Sequence, residues 1–394
     1  MNLIKIARQN IAAKPLNTFL SLVLLAFGVG IISLLLVLEV RLQEQFDRNI
    51  KDIDMVLGAK GSPLQLILAN VYHVDAPTGN ISRQAAEKIS KHPYIEDAIP
   101  LAYGDNFMKY RIVGTNYKYH EHYGVNVADG KLYENQYDAT IGANVAAESG
   151  LKIGDTFYSA HGLTDDTDVH KDHAFTVVGI FEKSNSVVDQ LILTPMESIW
   201  GVHEHMEEET GEAPDEEITA MLLKKKNPMA ILALPKMLEE TNMQIALPSI
   251  EINRLTQNFG VGMGTIRTIA ILIMVLSFVS VFISLYNSMR ERKYELALMR
   301  SMGAARGSLF KLILAEGLVL TIGGMIIGLV LSRVGILVLS GVLENEFRYN
   351  IGDMGILGSE LILIGITIFV GILASLLPAI TAVRLDISKI LSDG

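Results

Sequence analysis

Asn287–Gly317, NSMRERKYELALMRSMGAARGSLFKLILAEG, is a short basic segment wedged between two long apolar runs. It holds six basic residues (Arg290, Arg292, Lys293, Arg300, Arg306, Lys311) against three acids (Glu291, Glu295, Glu316). Lys and Arg close to span ends resist translocation, so a loop this short and this basic belongs on the cytoplasmic side. The topology of the chain follows by counting outward from it.

Upstream, Leu16–Leu38 runs 23 residues without a charge, where about 20 suffice to cross the hydrocarbon core. Residues 1–15, MNLIKIARQNIAAKP, set Lys5, Arg8 and Lys14 among apolar residues at helical spacing and read as a cytoplasmic interfacial helix. The apolar run is longer than that of a cleaved signal peptide, so 16–38 is expected to be a retained first span. The second span is expected at 266–288, the third at 312–340 and the fourth at 359–383, its charge-free run beginning near Leu361. The segments 289–311 and 384–394 then lie inside and the connector 341–358 outside. Basic residues number three in 1–15, six in 287–312 and two in 384–394, against the single Arg348 in the outer connector. Both termini are therefore expected in the cytoplasm.

Between the first two spans lies the acidic part of the chain. Glu39–Gly262 carries 34 acids and 19 bases, while the remainder carries 9 acids and 14 bases. This distribution argues against nucleic acid as a partner. Leu42, Phe46, Ile50 and Ile53 share a helical face, so the first span continues outward as an amphipathic stalk. Beyond it, short β-like runs alternate with Gly and Asp: Arg111–Gly114, Ala139–Gly142, Gly154–Tyr158, Ala174–Phe181 and Gln190–Thr194. Ser82–Lys91, Asn144–Gly150 and Pro228–Glu240 read as helices, Ile218–Lys224 and Gln244–Ala246 as strands. The expected fold class is thus membrane α-helical, four transmembrane helices, with a large α+β extracytoplasmic domain at 39–265 inserted between the first two. A domain of this size buries its own core without disulfides, and the chain has no cysteine.

Four stretches carry a family resemblance over nearly the whole length. They are the start, MNLIKIARQNIAAKPLNTFLSLVLLAFGVG; the middle, with Gly142–Gly150, Gly154-Asp155 and Phe175–Ile180; Arg292–Gly324, RKYELALMRSMGAARGSLFKLILAEGLVLTIGG; and Pro378–Asp386, PAITAVRLD. Together they resemble the MacB/FtsX/LolE-type permeases, the four-span subunits of mechanotransmitting ABC transporters. The third stretch is similar to the family's RxREIGxxRAxGAxxxxIxxxxxxEx signature, with Leu296-Ala297 in place of Ile-Gly. The fourth is similar to its PAxxAxRxDP tail, with Ile387 in place of Pro.

The resemblance implies a non-catalytic subunit of a bacterial inner membrane that forms a homodimer and recruits two copies of a cytosolic ABC ATPase. ATP and Mg are then held by that partner, and a periplasmic adaptor or substrate-binding protein is a further expected partner. No G-x-x-x-x-G-K-[ST] occurs in these residues, so the ATPase is expected to be a separate subunit. The coupling surface would comprise Arg292, Lys293, Glu295, Leu296, Met299, Arg300, Gly303 and Ala304. Physically, an amphipathic helix offering Leu296, Leu298, Met299 and Met302 beside charged neighbours suits a groove with polar rims. The same bases also suit anionic lipid headgroups.

Glu316 falls one turn into the third span, where an unpaired carboxylate is costly, so it is expected to pair or to reach the interface. Gly324 and Gly328 offer a small-xxx-small face for close helix approach. Arg333, near the outer end, is expected to snorkel. With the fourth span read from Leu361, no paired charges are expected among the helices and no second acid for a proton relay.

All nine histidines fall outside the membrane, among them the pairs His120/His122, His170/His173 and His203/His205. Imidazoles near carboxylates make zinc a candidate ligand, although these spacings define no complete site. A zinc-linked ABC system and an FtsX-like regulator of a cell-wall hydrolase are the alternative functions. No G-x-S-x-G or H-E-x-x-H pattern suggests bond chemistry.

Overall fold

The uncharged run Leu16–Leu38 forms the first part of one continuous helix, α1 (Pro15–Ile50), in the computed structural model. The structure describes residues 9–10, 15–160, 169–207, 216–347 and 355–384, with side chains left out at 169–172, 203–207, 259, 261 and 342–347. The expected interfacial helix at 1–15 and the tail at 384–394 therefore lie almost wholly outside the described residues. The chain divides into two units, residues 1–42 with 258–394, and residues 43–257.

In the second unit, chain order runs β1 (Met55–Ala59), α2 (Pro63–Asn70), β2 (Ile81–Ser82), α3 (Arg83–Ser90), β3 (Ile95–Phe107), β4 (Tyr110–Thr115) and α4 (Lys118–Tyr123). It continues through β5 (Val127–Gly130), β6 (Asp138–Ile141), α5 (Ala143–Ser149), β7 (Thr156–Ala160), β8 (Val169–Phe181), β9 (Leu191–Thr194) and α6 (Met196–Glu207). It closes with β10 (Glu217–Ile218), β11 (Ala220–Lys225), α7 (Ala230–Met237) and β12 (Met243–Ala246).

Ten strands make one mixed sheet in the order β12-β1-β11-β3-β4-β9-β6-β8-β5, with β7 paired to β3 and β8. β10 and β2 pair separately. Two apolar cores form along this sheet. One gathers Met55, Leu57, Ile81, Ile89, Met221, Leu223 and Leu234 around β1, β11, α3 and α7. The other gathers Tyr110, Ile112, Ile141, Val145, Phe157, Phe175 and Ile192 around β4, β6, β8 and α5. The runs around β4, β6, β7, β8, β9, β11 and β12 are strands as the sequence patterning predicts.

β1 and α2 are among the elements that escape that patterning. β1 is buried at all five positions, so MVLGA shows no alternation. Leu64–Val71 reads only as an apolar run among turn signals, yet it forms α2, started by Ser62, whose hydroxyl accepts from the Gln65 amide, and by Pro63 at the first turn.

In the first unit, α8 (Pro248–Glu291), α9 (Lys293–Ser301), α10 (Arg306–Phe347) and α11 (Gly358–Val383) follow. Among the described residues four helices, α1, α8, α10 and α11, are long and apolar enough to cross a membrane. Their packed seams include Leu25, Val29, Ala270, Phe278, Met325 and Leu363, and Val281, Leu285 and Leu320.

Candidate functional site

The signature segment folds as a helix that is broken at both ends. Arg292 leaves helical geometry between α8 and α9 (φ −99°, ψ 17°). Gly303, at φ +98°, ends α9 in a conformation that a side chain disfavours. Around that turn the Gly303 amide bonds to the Arg300 carbonyl and the Ala304 amide to that of Met299, both at 3.0 Å.

The ten residues between these breaks present two faces. Leu296 and Ala297 are buried, and Leu296 packs with Met289, Leu309, Leu312, Ile313, Ala379 and Ala382, with Met299 partly buried against the same cluster. Tyr294, Leu298 and Met302 point outward, Met302 at 78% exposure. The apolar residues named from sequence thus divide: Leu296 and Met299 seat the helix, while Leu298 and Met302 remain on its surface. Tyr294 joins that surface, and the sequence reading did not single it out. Glu295 and Gly303 are exposed, while Lys293, Arg300 and Ala304 are half-buried. Among the described residues the buried Nε of Arg300 finds no hydrogen-bond partner.

Arg292 carries the helix break into the bundle. Its Nη1 lies 3.1 Å from Glu316 Oε1 and its Nε 3.1 Å from Glu295 Oε2. The Asn10 side chain donates to the same Glu316 oxygen. Glu316 is buried, so the carboxylate in α10 is satisfied by an arginine from the α8–α9 junction and an amide from the N-terminal segment.

A second buried carboxylate corrects the expectation of helices without paired charges. Glu360, in the first turn of α11, is fully buried. It accepts from Arg333 Nη2 of α10 at 2.6 Å, from Ser33 Oγ of α1 at 2.6 Å and from the Leu357 amide at 3.0 Å. Ser33 Oγ also lies 2.9 Å from Ser332 Oγ. Arg333 does not snorkel free: it is paired, with a further bond to the Gly355 carbonyl at 3.3 Å. The expectation failed because the charge-free run starts at Leu361, one residue past the acid that closes the helix end. A third pair, Arg267 of α8 with Glu39 of α1, is partly exposed.

Small residues set how closely the helices approach. A Cβ on Gly328 would lie 2.7 Å from the Ala26 carbonyl oxygen, and one on Gly324 2.8 Å from Leu25 Cδ2, so this face of α10 lies against α1. A Cβ on Gly371 of α11 would fall 2.4 Å from Thr321 Oγ1 of α10.

Comparison with known families bears on what this helical unit and its inserted domain constitute. The profile of the MacB-like periplasmic core domain matches residues 18–232, more than half of the chain. That of the FtsX-like permease C-terminal region matches residues 267–387. The chain belongs to the MacB/FtsX-type permease family.

Two relatives are the macrolide export ATP-binding/permease proteins MacB of Neisseria meningitidis serogroup A / serotype 4A and serogroup B. Each is 22% identical over 317 residues, covering 76% of this chain and 47% of that protein. The chain thus spans about half the length of the curated relatives it matches. Among solved structures, the periplasmic region of MacB from Actinobacillus actinomycetemcomitans is similar at 15% identity and a TM-score of 0.35, covering 54% of this chain and 96% of that one. The extracellular domain of the ABC-type transporter YknZ from Gram-positive bacteria is similar at 11% identity and a TM-score of 0.30, covering 48% and 98%.

In this MacB/FtsX-type permease the described histidines pack on aromatic rings. His120 is buried and stacks on Phe181 at 5.9 Å, and His122 meets the Tyr123 ring edge-on at 4.9 Å. Burial holds both imidazoles below their ordinary pKa, a charged ring being the costlier form away from water. His173 stacks on Tyr137 at 5.0 Å. The side chains of His170, His203 and His205 lie outside the described residues, as does the acidic loop near Asp165. Among the described residues no three His, Asp or Glu side chains gather. His73, which sequence reading only counts, is the most fully engaged: its ring nitrogens lie 2.7 Å from the Tyr119 hydroxyl and 2.8 Å from that of Tyr103. No local pattern announces it, because its partners lie 30 and 46 residues away.

Proposed function

We propose that this permease couples ATP hydrolysis by a separate ABC ATPase, docked on α9, to conformational change of the extracytoplasmic domain for export or extraction of a substrate. The split face of α9 carries the reading. Leu296 anchors the helix in the bundle, leaving Tyr294, Leu298 and Met302 beside Lys293 and Arg300 on the outside. Such a surface suits a partner groove with an apolar floor and polar rims. Arg292 then gives displacement of α9 a route to α10 through Glu316.

In this reading the permease works as a homodimer with two ATPase copies, its termini in the cytoplasm as the distribution of bases favours. A periplasmic adaptor or substrate-binding protein would meet the inserted domain. The name of the meningococcal relatives, macrolide export ATP-binding/permease protein, supports ATP-driven export. The described histidines lend a zinc-linked system no support, since among the described residues no three His, Asp or Glu side chains gather.

The test is reconstitution with the ATPase. Leu298→Glu with Met302→Glu, or Glu295→Ala with Arg300→Ala, should cut recruitment and stimulated hydrolysis at least about tenfold, since removing apolar anchors from an interface costs about 1.4 kcal/mol or more. Undiminished recruitment and stimulation in both variants would remove α9 as the docking site.

A further inference from the structure

Two helices leave the membrane unit for the inserted domain, and they differ in glycine content where they do so. α1 passes from one unit to the other at Leu42/Gln43, and α8 does so at Gln257/Asn258. Residues 31–50 of α1, IISLLLVLEVRLQEQFDRNI, contain neither Gly nor Pro. α8 instead carries Gly260, Gly262 and Gly264 within seven residues of its division point, all inside one continuous helix.

Packing does not account for these glycines. A Cβ added to any of the three would meet nothing within 4 Å, and all three are exposed. Gly28 of α1 and Gly324 and Gly328 of α10, by contrast, are pressed against neighbouring helices. Glycine is the least favourable residue in a helix interior after proline, because it leaves the backbone the most freedom to lose.

A second feature weakens the same turn. The Thr268 hydroxyl donates to the Gly264 carbonyl at 2.8 Å, a back-bond to the preceding turn that competes with the helical ladder and bends helices. Just beyond it, Arg267 pairs with Glu39 of α1 and holds that part of α8 in place. On the other side, Ile252 is buried. The loosened turn lies between two restrained ones.

We infer that residues 260–264 are a bending joint, so that α1 is the stiff connection and α8 the compliant one. Motion entering through α1 then tilts the domain without requiring α8 to move as a rod. The inference stands apart from the docking of an ATPase, and its test reads the helix itself.

The chain has no cysteine, so paired spin labels can be introduced at exposed Asn253 and Leu272 of α8, with Leu24 and Gln43 of α1 as the reference pair. Each pair spans 19 residues, about 28 Å in a straight helix. Distances are measured on the full chain in lipid nanodiscs, labelled protein being diluted with unlabelled. The α8 distribution should be at least twice as wide as that of α1. Gly260→Ala, Gly262→Ala and Gly264→Ala together should narrow it to the α1 width, and Gly262→Ala alone should narrow it partway. A wild-type α8 distribution as narrow as that of α1, or a broad one that the alanines leave unchanged, overturns the joint. The first outcome, joined to loss of self-association in the alanine variant, would assign the open glycines to contact with a second copy of the chain.

Discussion

Glu360→Ala should be among the most damaging single substitutions in the helical unit, and its size follows from what the carboxylate leaves behind. Glu360 is fully buried and receives three donors, from Arg333, Ser33 and the Leu357 amide. Removing it strips Arg333, whose side chain is only 19% exposed, of its counter-charge. Breaking a buried ion pair by deleting one partner costs about 3–5 kcal/mol. The lower end, about 3 kcal/mol, applies here because Arg333 keeps the Gly355 carbonyl at 3.3 Å. Glu360→Gln retains an acceptor for Ser33 and should lose only about 1–2 kcal/mol. Replacing both partners, Arg333→Met with Glu360→Met, removes the stranded charge and should return stability to within about 1 kcal/mol of the parent. The measurement is SDS-induced unfolding of the purified chain in mixed micelles, followed by helical circular dichroism and combined as a double-mutant cycle. A double variant as unstable as the sum of its singles would show no coupling and refute the reasoning.

Three further outcomes test other parts of the structure. Gly371→Val forces a branched side chain against Thr321, where even a Cβ would sit 2.4 Å from Oγ1; an overpacking loss of about 1–3 kcal/mol is expected in the same unfolding assay, and an unchanged midpoint would mean that the α10–α11 seam is looser than described. Burial lowers the pKa of His120 and His122 in the fold, so below the unfolded value of about 6.5 the unfolded chain takes up protons first and stability falls with pH. Thermal unfolding of the inserted domain should therefore lose less between pH 7.5 and 5.5 in His120→Phe with His122→Phe than in the parent, and equal losses would contradict the assignment. Glu316→Ala leaves Arg292 half-buried with only the exposed Glu295 as counter-charge; if Glu316 carries motion from α9, ATPase recruitment should persist while stimulation falls, whereas parallel loss of both would make its role purely structural.

The sequence by itself determined the class of the fold, four long apolar helices with a mixed α/β domain between the first two, because that rests on properties that each segment carries alone. A charge-free run long enough to cross a bilayer, as at Leu16–Leu38, is apolar whatever packs beside it, and the bases of Asn287–Gly317 resist translocation regardless of their neighbours. The signature from Arg292 to Gly324 was equally legible, since Gly303 ends α9 through its own backbone freedom. Only the tertiary structure decided which residues meet. Arg333 and Glu360 are separated by 27 residues and a change of helix, and nothing in either segment marks the other as its partner. In α9 the periodicity of nine residues could not say which apolar positions turn inward, because that depends on where α10 and α11 lie. β1, buried on both faces between β11 and β12, shows no alternation for a reader to find. Hydrophobicity and helix termination are properties of one segment, whereas pairing and burial belong to two or more, and these exist only once the chain has chosen its neighbours.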